Sequence, residues 1–560
     1  MSDSREHPYI PKLKEQLCDG RIGRREFLRF STLLGVSATA AYAFAGKVTG
    51  QGFVPGARAE DMPKGGVIRL GHFVQEVKHP HAYNWIYPAN IAGQVVGRLA
   101  LIGQDNIARP VLAESWEASD DLKTWTFNLR KINWHSGRPF TADDVVWNLE
   151  HILDPATGSS SVGLMKGYML EEYDTGEKDD EGNAKMSTRL WDANAIEKVD
   201  DHTVRLNLKV PQVAIPEHMD HYTNAILDPE EGGEFKVGSN GLMAFTMVEH
   251  AVGIKAVVEA RKEPFFLGGP HIDRLEFVDV GEDPSANIAS LASQQVHGLY
   301  QVDTAQVEIL KAIPHAEVHE VPTAATAVVQ MIIDRKPFDD PKVRLAMRYG
   351  MDSNRVLQLA QRGLGLPGEH HFVCPIHPDY APLPEMTRDV EKAKSLLAEA
   401  GYPDGINFTF NTKKDPAWEI AAVQSMVEQW KECGINADIN VMPSAQFWDV
   451  WDKFDCGFVE WAHRSLGFMV LSLGFRSGVP WNPTTFADQE FDDLLTQAEG
   501  TFDVEERKEV MKKIQIIMQE RGPICQPVWR SILTGMDKKV KGFKMHPQYQ
   551  FRGHEMAIES

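Results

Sequence analysis

Cysteine is scarce in this chain, with five in 560 residues and no Cys-x-x-Cys spacing among them. That excludes a zinc ribbon and a thioredoxin-like redox motif. Cys18 lies near the N-terminus, and Cys374, Cys433, Cys456 and Cys525 leave open both burial as free thiols and any full disulfide pairing. Also missing are a Gly-x-Ser-x-Gly elbow, a His-Glu-x-x-His pair, a phosphate loop and a dinucleotide fingerprint, so the common signatures of hydrolases, zinc peptidases and nucleotide enzymes are absent. Positive charge is in short supply: 58 Lys and Arg face 79 Asp and Glu, a net charge of -21. With no basic patch in the body of the chain, nucleic acid is excluded as a partner. No apolar run beyond the N-terminal segment is long enough to cross a bilayer.

What is present is 43% hydrophobic, 24% charged and 9% aromatic residues, enough for large cores. At roughly 100 to 200 residues per domain, the length suggests two to four domains or lobes. The first 59 residues differ from the rest: nine basic against five acidic residues give +4, which leaves -25 for the remainder. Leader and body are therefore expected to be separate objects. Arg24-Arg25-Glu26-Phe27-Leu28-Arg29 stands ahead of a mild, Ala-rich stretch, Phe30 to Ala45. This segment, with Arg24, Arg25, Phe27 and Leu28 as its reading points, resembles a twin-arginine export signal and implies passage through the twin-arginine translocase to the periplasm. Ala57-Arg58-Ala59 offers a cleavage point before Glu60, in competition with Ala43-Phe44-Ala45. Cys18 precedes the apolar stretch, so no lipid anchor is expected.

Strand and helix periods alternate along the body, which predicts mixed α/β architecture. Strands are expected at 66–70, 111–116, 124–130, 204–208, 275–280, 407–411, 437–441 and 528–534, and helices at 284–293, 341–350, 390–401, 418–433 and 505–520. Thr141, with Asp144 three residues on, caps a helix. The acidic, turn-rich segment 171–184 reads as a solvated loop.

Several segments together resemble one family over nearly everything from Gly65 to Phe543. They are Pro110 to Glu117, Trp125 to Arg130, Trp134-His135-Ser136-Gly137-Arg138-Pro139-Phe140-Thr141-Ala142-Asp143-Asp144-Val145, Pro337 to Arg344, Ala393 to Pro403, and Phe491 to Leu495 followed by Glu506-Arg507. In that order they are similar to the family 5 periplasmic solute-binding proteins of peptide-type (dipeptide, oligopeptide and nickel) ABC transporters. The resemblance implies a two-lobed periplasmic-binding-protein fold (type II, large cluster C), with hinge-linked lobes closing on a central ligand cleft. By that analogy 60–281 plus 531–560 make lobe one and 282–530 lobe two. The implied partners are a small-molecule or peptide ligand and an inner-membrane ABC permease and ATPase complex; no cofactor and no catalysis are implied. An exported hydrolase, or a sensory or chaperone protein on the same fold, is the alternative. His135 is expected to be structural.

Two departures from the family pattern stand out. The Gly-Thr-Gly-Pro-aromatic turn is replaced by Gly238-Ser239-Asn240-Gly241-Leu242-Met243-Ala244-Phe245, without the proline. Peptide binders of the family carry an aspartate three residues after a cleft tryptophan, where it holds the peptide ammonium; here the run is Trp461-Ala462-His463-Arg464. A guanidinium in that place repels an ammonium and favours a carboxylate or another anion. Trp461, His463 and Arg464 are thus ligand-binding candidates, joined by Trp85, Tyr87 and Trp481 as stacking faces for a planar or sugar-like solute. His79-Pro80-His81 and His370-His371 lack a carboxylate or thiol at ligand spacing, so no metal site is expected and these histidines read as solvated.

Overall fold

Two segments rich in Val, Ile, Thr and Ala, Ala316–Met331 and Ile524–Asp537, make the longest strands of the molecule, 16 and 14 residues. In the computed structural model, which describes residues 7–36, 38–49, 62–178 and 184–559, they pair antiparallel from Ala316 opposite Asp537 to Gln330 opposite Ile524. Every residue of the second strand is buried, which explains its near-continuous apolar reading. On one side of this pair the sheet continues through Gly298–Leu299, Val67–Gly71, Arg274–Val278, Lys255–Ala260 and Phe245–Ala251. On the other it continues through Cys456–Trp461, Ile406–Lys413 and Ile435–Met442. The two ends of the sheet each carry their own core cluster. A separate four-stranded sheet, in the order Ala113–Ala118, Thr124–Leu129, Thr203–Asn207, Ile196–Asp200, packs with the helix Ala142–Leu153.

Local chemistry sets the element ends. The Asp144 carboxylate accepts the Thr141 backbone N–H at 2.8 Å and the Trp134 indole N–H at 3.1 Å, so one capping acid also ties the preceding turn to the helix. Gly401 and Gly434, at φ 90° and 78°, lie just past the helices Val390–Glu399 and Ala417–Lys431, where the left-handed backbone suits glycine. His135 Nε2–H donates to the Met243 carbonyl, 2.9 Å away, and so pins the family-divergent turn as a structural histidine. Cys374, Cys433, Cys456 and Cys525 are buried free thiols.

Three expectations change. The acidic segment is not a loop: Leu170–Lys178 and Ala184–Leu190 form a hairpin, held by cross-strand pairs such as Glu171 with Arg189 at 2.8 Å, with residues 179–183 outside the description. The histidine pairs are not solvated. His81 is 2% exposed and shared between His151 and the Ala225 carbonyl, His370 accepts the Gln526 N–H, and His371 is fully buried; only His79 is exposed. Finally, the leader is not detached from the body. The helix Arg24–Leu33 buries Phe27, Leu28, Arg29 and Phe30. Phe30 packs on Phe502 at 5.6 Å beneath the Arg507 guanidinium, Arg29 donates to the Asn106 carbonyl at 3.1 Å, and the Trp116 indole donates to the Leu33 carbonyl at 3.0 Å. An apolar stripe on one helix face suffices for that docking. Ala43-Phe44-Ala45 lies inside the helix Ala38–Thr49, whereas Ala57-Arg58-Ala59 falls outside the described residues.

Candidate functional site

The strand Cys456–Trp461 runs to the seam between the lobes and ends in Trp461, so the following Ala462-His463-Arg464 turns into that seam. There Trp461, Arg464, Trp451, Trp448 and Trp481 face Trp85 and Tyr222 around a narrow slot. Trp85 stacks on Trp448 at 5.2 Å and 25°, which joins the lobes directly. Trp481 meets Trp461 edge-on at 6.1 Å and Trp451 at 6.2 Å. Five indoles thus supply flat, weakly polar walls, suited to holding a solute by stacking and dispersion.

The slot is short of acceptors. Trp85 Nε1, Trp461 Nε1 and Arg464 Nε are buried donors with no hydrogen-bond partner. Arg464 is 6% exposed; its Nη1 donates to the His463 carbonyl at 3.0 Å and its Nη2 lies 3.5 Å from His221 Nε2. Among the described residues no carboxylate forms an ion pair with it: the nearby Asp220 is spent on Arg98 at 3.3 Å. Burial pushes the Arg464 guanidinium down from its ordinary value. Glu460, also on the slot, is the opposite case. It is neutralised by Arg530 at 2.5 Å and Lys413 at 3.4 Å, and Lys413 bonds Glu419 as well.

Of the six residues expected from sequence, Trp85, Trp461, Arg464 and Trp481 line this slot together. His463 does not: its Nδ1 accepts the Ala324 N–H at 2.9 Å and its Nε2 meets Asn106 Oδ1 at 2.8 Å, so it braces the turn. Burial holds it well below the usual imidazole range, hence neutral. Tyr87 also stands back from the slot, packed on Tyr300 at 4.6 Å and Phe73 at 5.0 Å. Trp448, Trp451 and Tyr222 escaped sequence reasoning, because nothing in their local pattern separates a cleft aromatic from a core one. No group of three or more metal-ligating side chains occurs among the described residues.

Asp415 borders a second cavity in the same seam. Burial, reinforced by Asp303, pushes its carboxyl up to about 7. In the unfolded chain the group titrates near its ordinary value, so between about pH 4 and pH 7 the folded state binds more protons and stability falls as pH rises. Asp415→Asn is therefore expected to melt with wild type near pH 4 and progressively above it toward pH 8. Thermal unfolding at several pH values checks this, and a pH-independent difference would contradict it.

Comparison with known proteins gives the site its setting. The model of the bacterial extracellular solute-binding proteins, family 5, matches residues 108–482. Heme-binding protein A of Haemophilus influenzae is 26% identical over 474 residues, covering 78% of this chain and 82% of that protein. Among solved structures, the periplasmic binding protein DppA of Helicobacter pylori in complex with the peptide STSA superposes with a TM-score of 0.76 at 19% identity, over 90% of this chain and 99% of that one. AgaA of Agrobacterium tumefaciens R10 in complex with agropinic acid gives a TM-score of 0.77 at 22% identity, over 88% and 99%. No helix among the described residues is long and apolar enough to cross a membrane.

Proposed function

The chain belongs to the family 5 bacterial extracellular solute-binding proteins, and from that premise we propose that it is a periplasmic receptor which hands a small anionic solute to an ABC permease and ATPase. The observation that carries the ligand class is Arg464, a buried guanidinium without a carboxylate partner in a slot whose other unpaired groups are indole N–H donors. Such a set is unsatisfied by itself and is completed by a carboxylate or comparable anion, which accepts from the guanidinium and the indoles together. The slot as it stands holds only about 20 Å³, so the indole walls offer stacking faces to a larger body on that anion only when the lobes open. A plain α-peptide entering ammonium-first meets the wrong charge at this point. The protein binds and releases its solute unchanged; it needs no cofactor, and turnover assays on bound acids are expected to show none.

Export fits the same reading. We assign Arg24, Arg25, Phe27 and Leu28 to a twin-arginine signal that delivers the receptor to the periplasm, with 60–281 plus 531–560 and 282–530 as its lobes. Trapping requires motion, since only a closed state lets both lobes touch the solute. Small-angle scattering should therefore show the radius of gyration falling when a carboxylate-bearing solute saturates the protein. Profiles that superimpose with and without it would count against a two-lobe trap.

A further inference from the structure

Tyr87 stands between two cavities of the interlobe seam: on one side it approaches Trp85, at 6.3 Å, and on the other it packs on Tyr300. The cavity on the Tyr300 side, about 40 Å³, is bordered by His72, Phe73 and Tyr300 from one direction and by Asp303, Asp415 and Pro416 from the other. It is too small for an aromatic body but holds a head group of two or three heavy atoms. Its chemistry is the reverse of the tryptophan slot. The Asp415 carboxylate makes no hydrogen bond or ion pair among the described residues, and Asp303 accepts only the Ala417 N–H at 3.2 Å. Tyr300, 5% exposed, carries a buried hydroxyl with no hydrogen-bond partner. His72 is satisfied by the Phe73 carbonyl at 2.7 Å and by Asn90, and adds no free donor.

The neighbouring cations do not neutralise this pair. Lys413 is engaged by Glu419 and Glu460, and Arg530 by Glu460 and the Tyr549 hydroxyl. Two cations thus face four acidic side chains, Asp303, Asp415, Glu419 and Glu460, in one buried cluster, where burial holds Glu419 protonated at neutral pH and raises Asp303 and Asp415. A partner missing from such a cluster is a cation with N–H donors.

We propose that this compartment is a cation subsite, in which the alkylammonium end of the solute is held by Asp415 and Asp303 with the Tyr300 hydroxyl oxygen as a third acceptor. The inference rests on the receptor reading, because it takes the interlobe seam as the place where solute is held, but it does not depend on Arg464. It gives the solute a second recognised end, of opposite charge to the first, on the far side of Tyr87.

Proton linkage gives the subsite a signature. The groups facing Asp415 are Asp303, Lys413, Glu282, Glu460 and the Tyr87 hydroxyl, with His72, held neutral at about 4 by burial, in the same cavity. A cation arriving beside Asp415 favours its charged form, so below pH 7 binding expels a proton and affinity rises with pH.

The test uses n-butylammonium and n-butanol, which share a chain and differ in the charged head, with pentanoate as an anionic control, on the full chain. Melting temperature and calorimetric titration are read from pH 6 to pH 8. Saturable binding of n-butylammonium is expected, at least tenfold tighter than n-butanol, stronger at pH 8 than at pH 6, and weakened at least tenfold in both Asp415→Asn and Asp303→Asn. Equal responses to the amine and the alcohol would overturn the subsite, as would a preference that survives both substitutions. A response to pentanoate without one to the amine overturns the subsite alone. Silence toward all three, with no change in scattering, removes the receptor reading as well.

Discussion

Arg464→Ala is expected to weaken binding of a carboxylate-bearing solute by about 2 to 5 kcal/mol, because the anion would stay enclosed without its charged donor. Neutral solutes of the same shape should lose much less. The variant has a second signature. Arg464 is buried without a carboxylate partner, so the solute-free protein bears its desolvation cost with little compensation. Removing the side chain should leave the solute-free protein at least as stable as wild type while binding fails, a separation that a merely structural arginine would not give. Calorimetric titration at one fixed ionic strength, paired with thermal melts, makes the comparison. Tight binding of free-amine di- and tripeptides by both proteins would place Arg464 outside the site.

Changing Arg24 and Arg25 together to Lys is expected to stop export, with precursor accumulating inside the cell and the periplasmic fraction falling to background. The substitution keeps both positive charges, and the helix Arg24–Leu33 tolerates lysine as readily as arginine. Arg25 is exposed and Arg24 lies over the Tyr42 ring at 5.7 Å, so neither side chain is part of a core that the change would disrupt. Only a receptor that reads paired planar guanidinium groups distinguishes the two sequences. Efficient export of the double variant would remove the signal assignment.

Local signals carried much of the fold. Thr141 with Asp144, and the glycines 401 and 434, mark helix ends through chemistry confined to a few neighbouring residues, and those ends lie where the sequence puts them. The strand Ala316–Met331 was not legible: it passes from half-buried polar residues around Pro322 to a fully buried run, so no single period describes it. The hairpin 170–190 was misread because both of its faces meet solvent, which removes the alternation that marks a strand. His370 and His371 misled for a different reason, since burial of a polar ring is decided by distant partners such as Gln526 and Gln515.

The candidate site divides the same way. Arg464 drew notice because it stands three residues after Trp461, where the family pattern has an acid, and that is a one-dimensional signal. Trp448, Trp451 and Tyr222 carry no such mark, and Asp303 and Asp415 lie 112 positions apart in sequence yet border one cavity. The lobes bring them together, and lobe packing is not written in any local stretch.

Native mass spectrometry of the protein taken from its own cells, followed by release and identification of the molecule it carries, tests the proposed receptor role most directly. One solute per chain is predicted, bearing a carboxylate or another anionic group and leaving chemically unchanged. A solute without any anionic group, or an ordinary free-amine peptide whose binding is indifferent to Arg464, would contradict it.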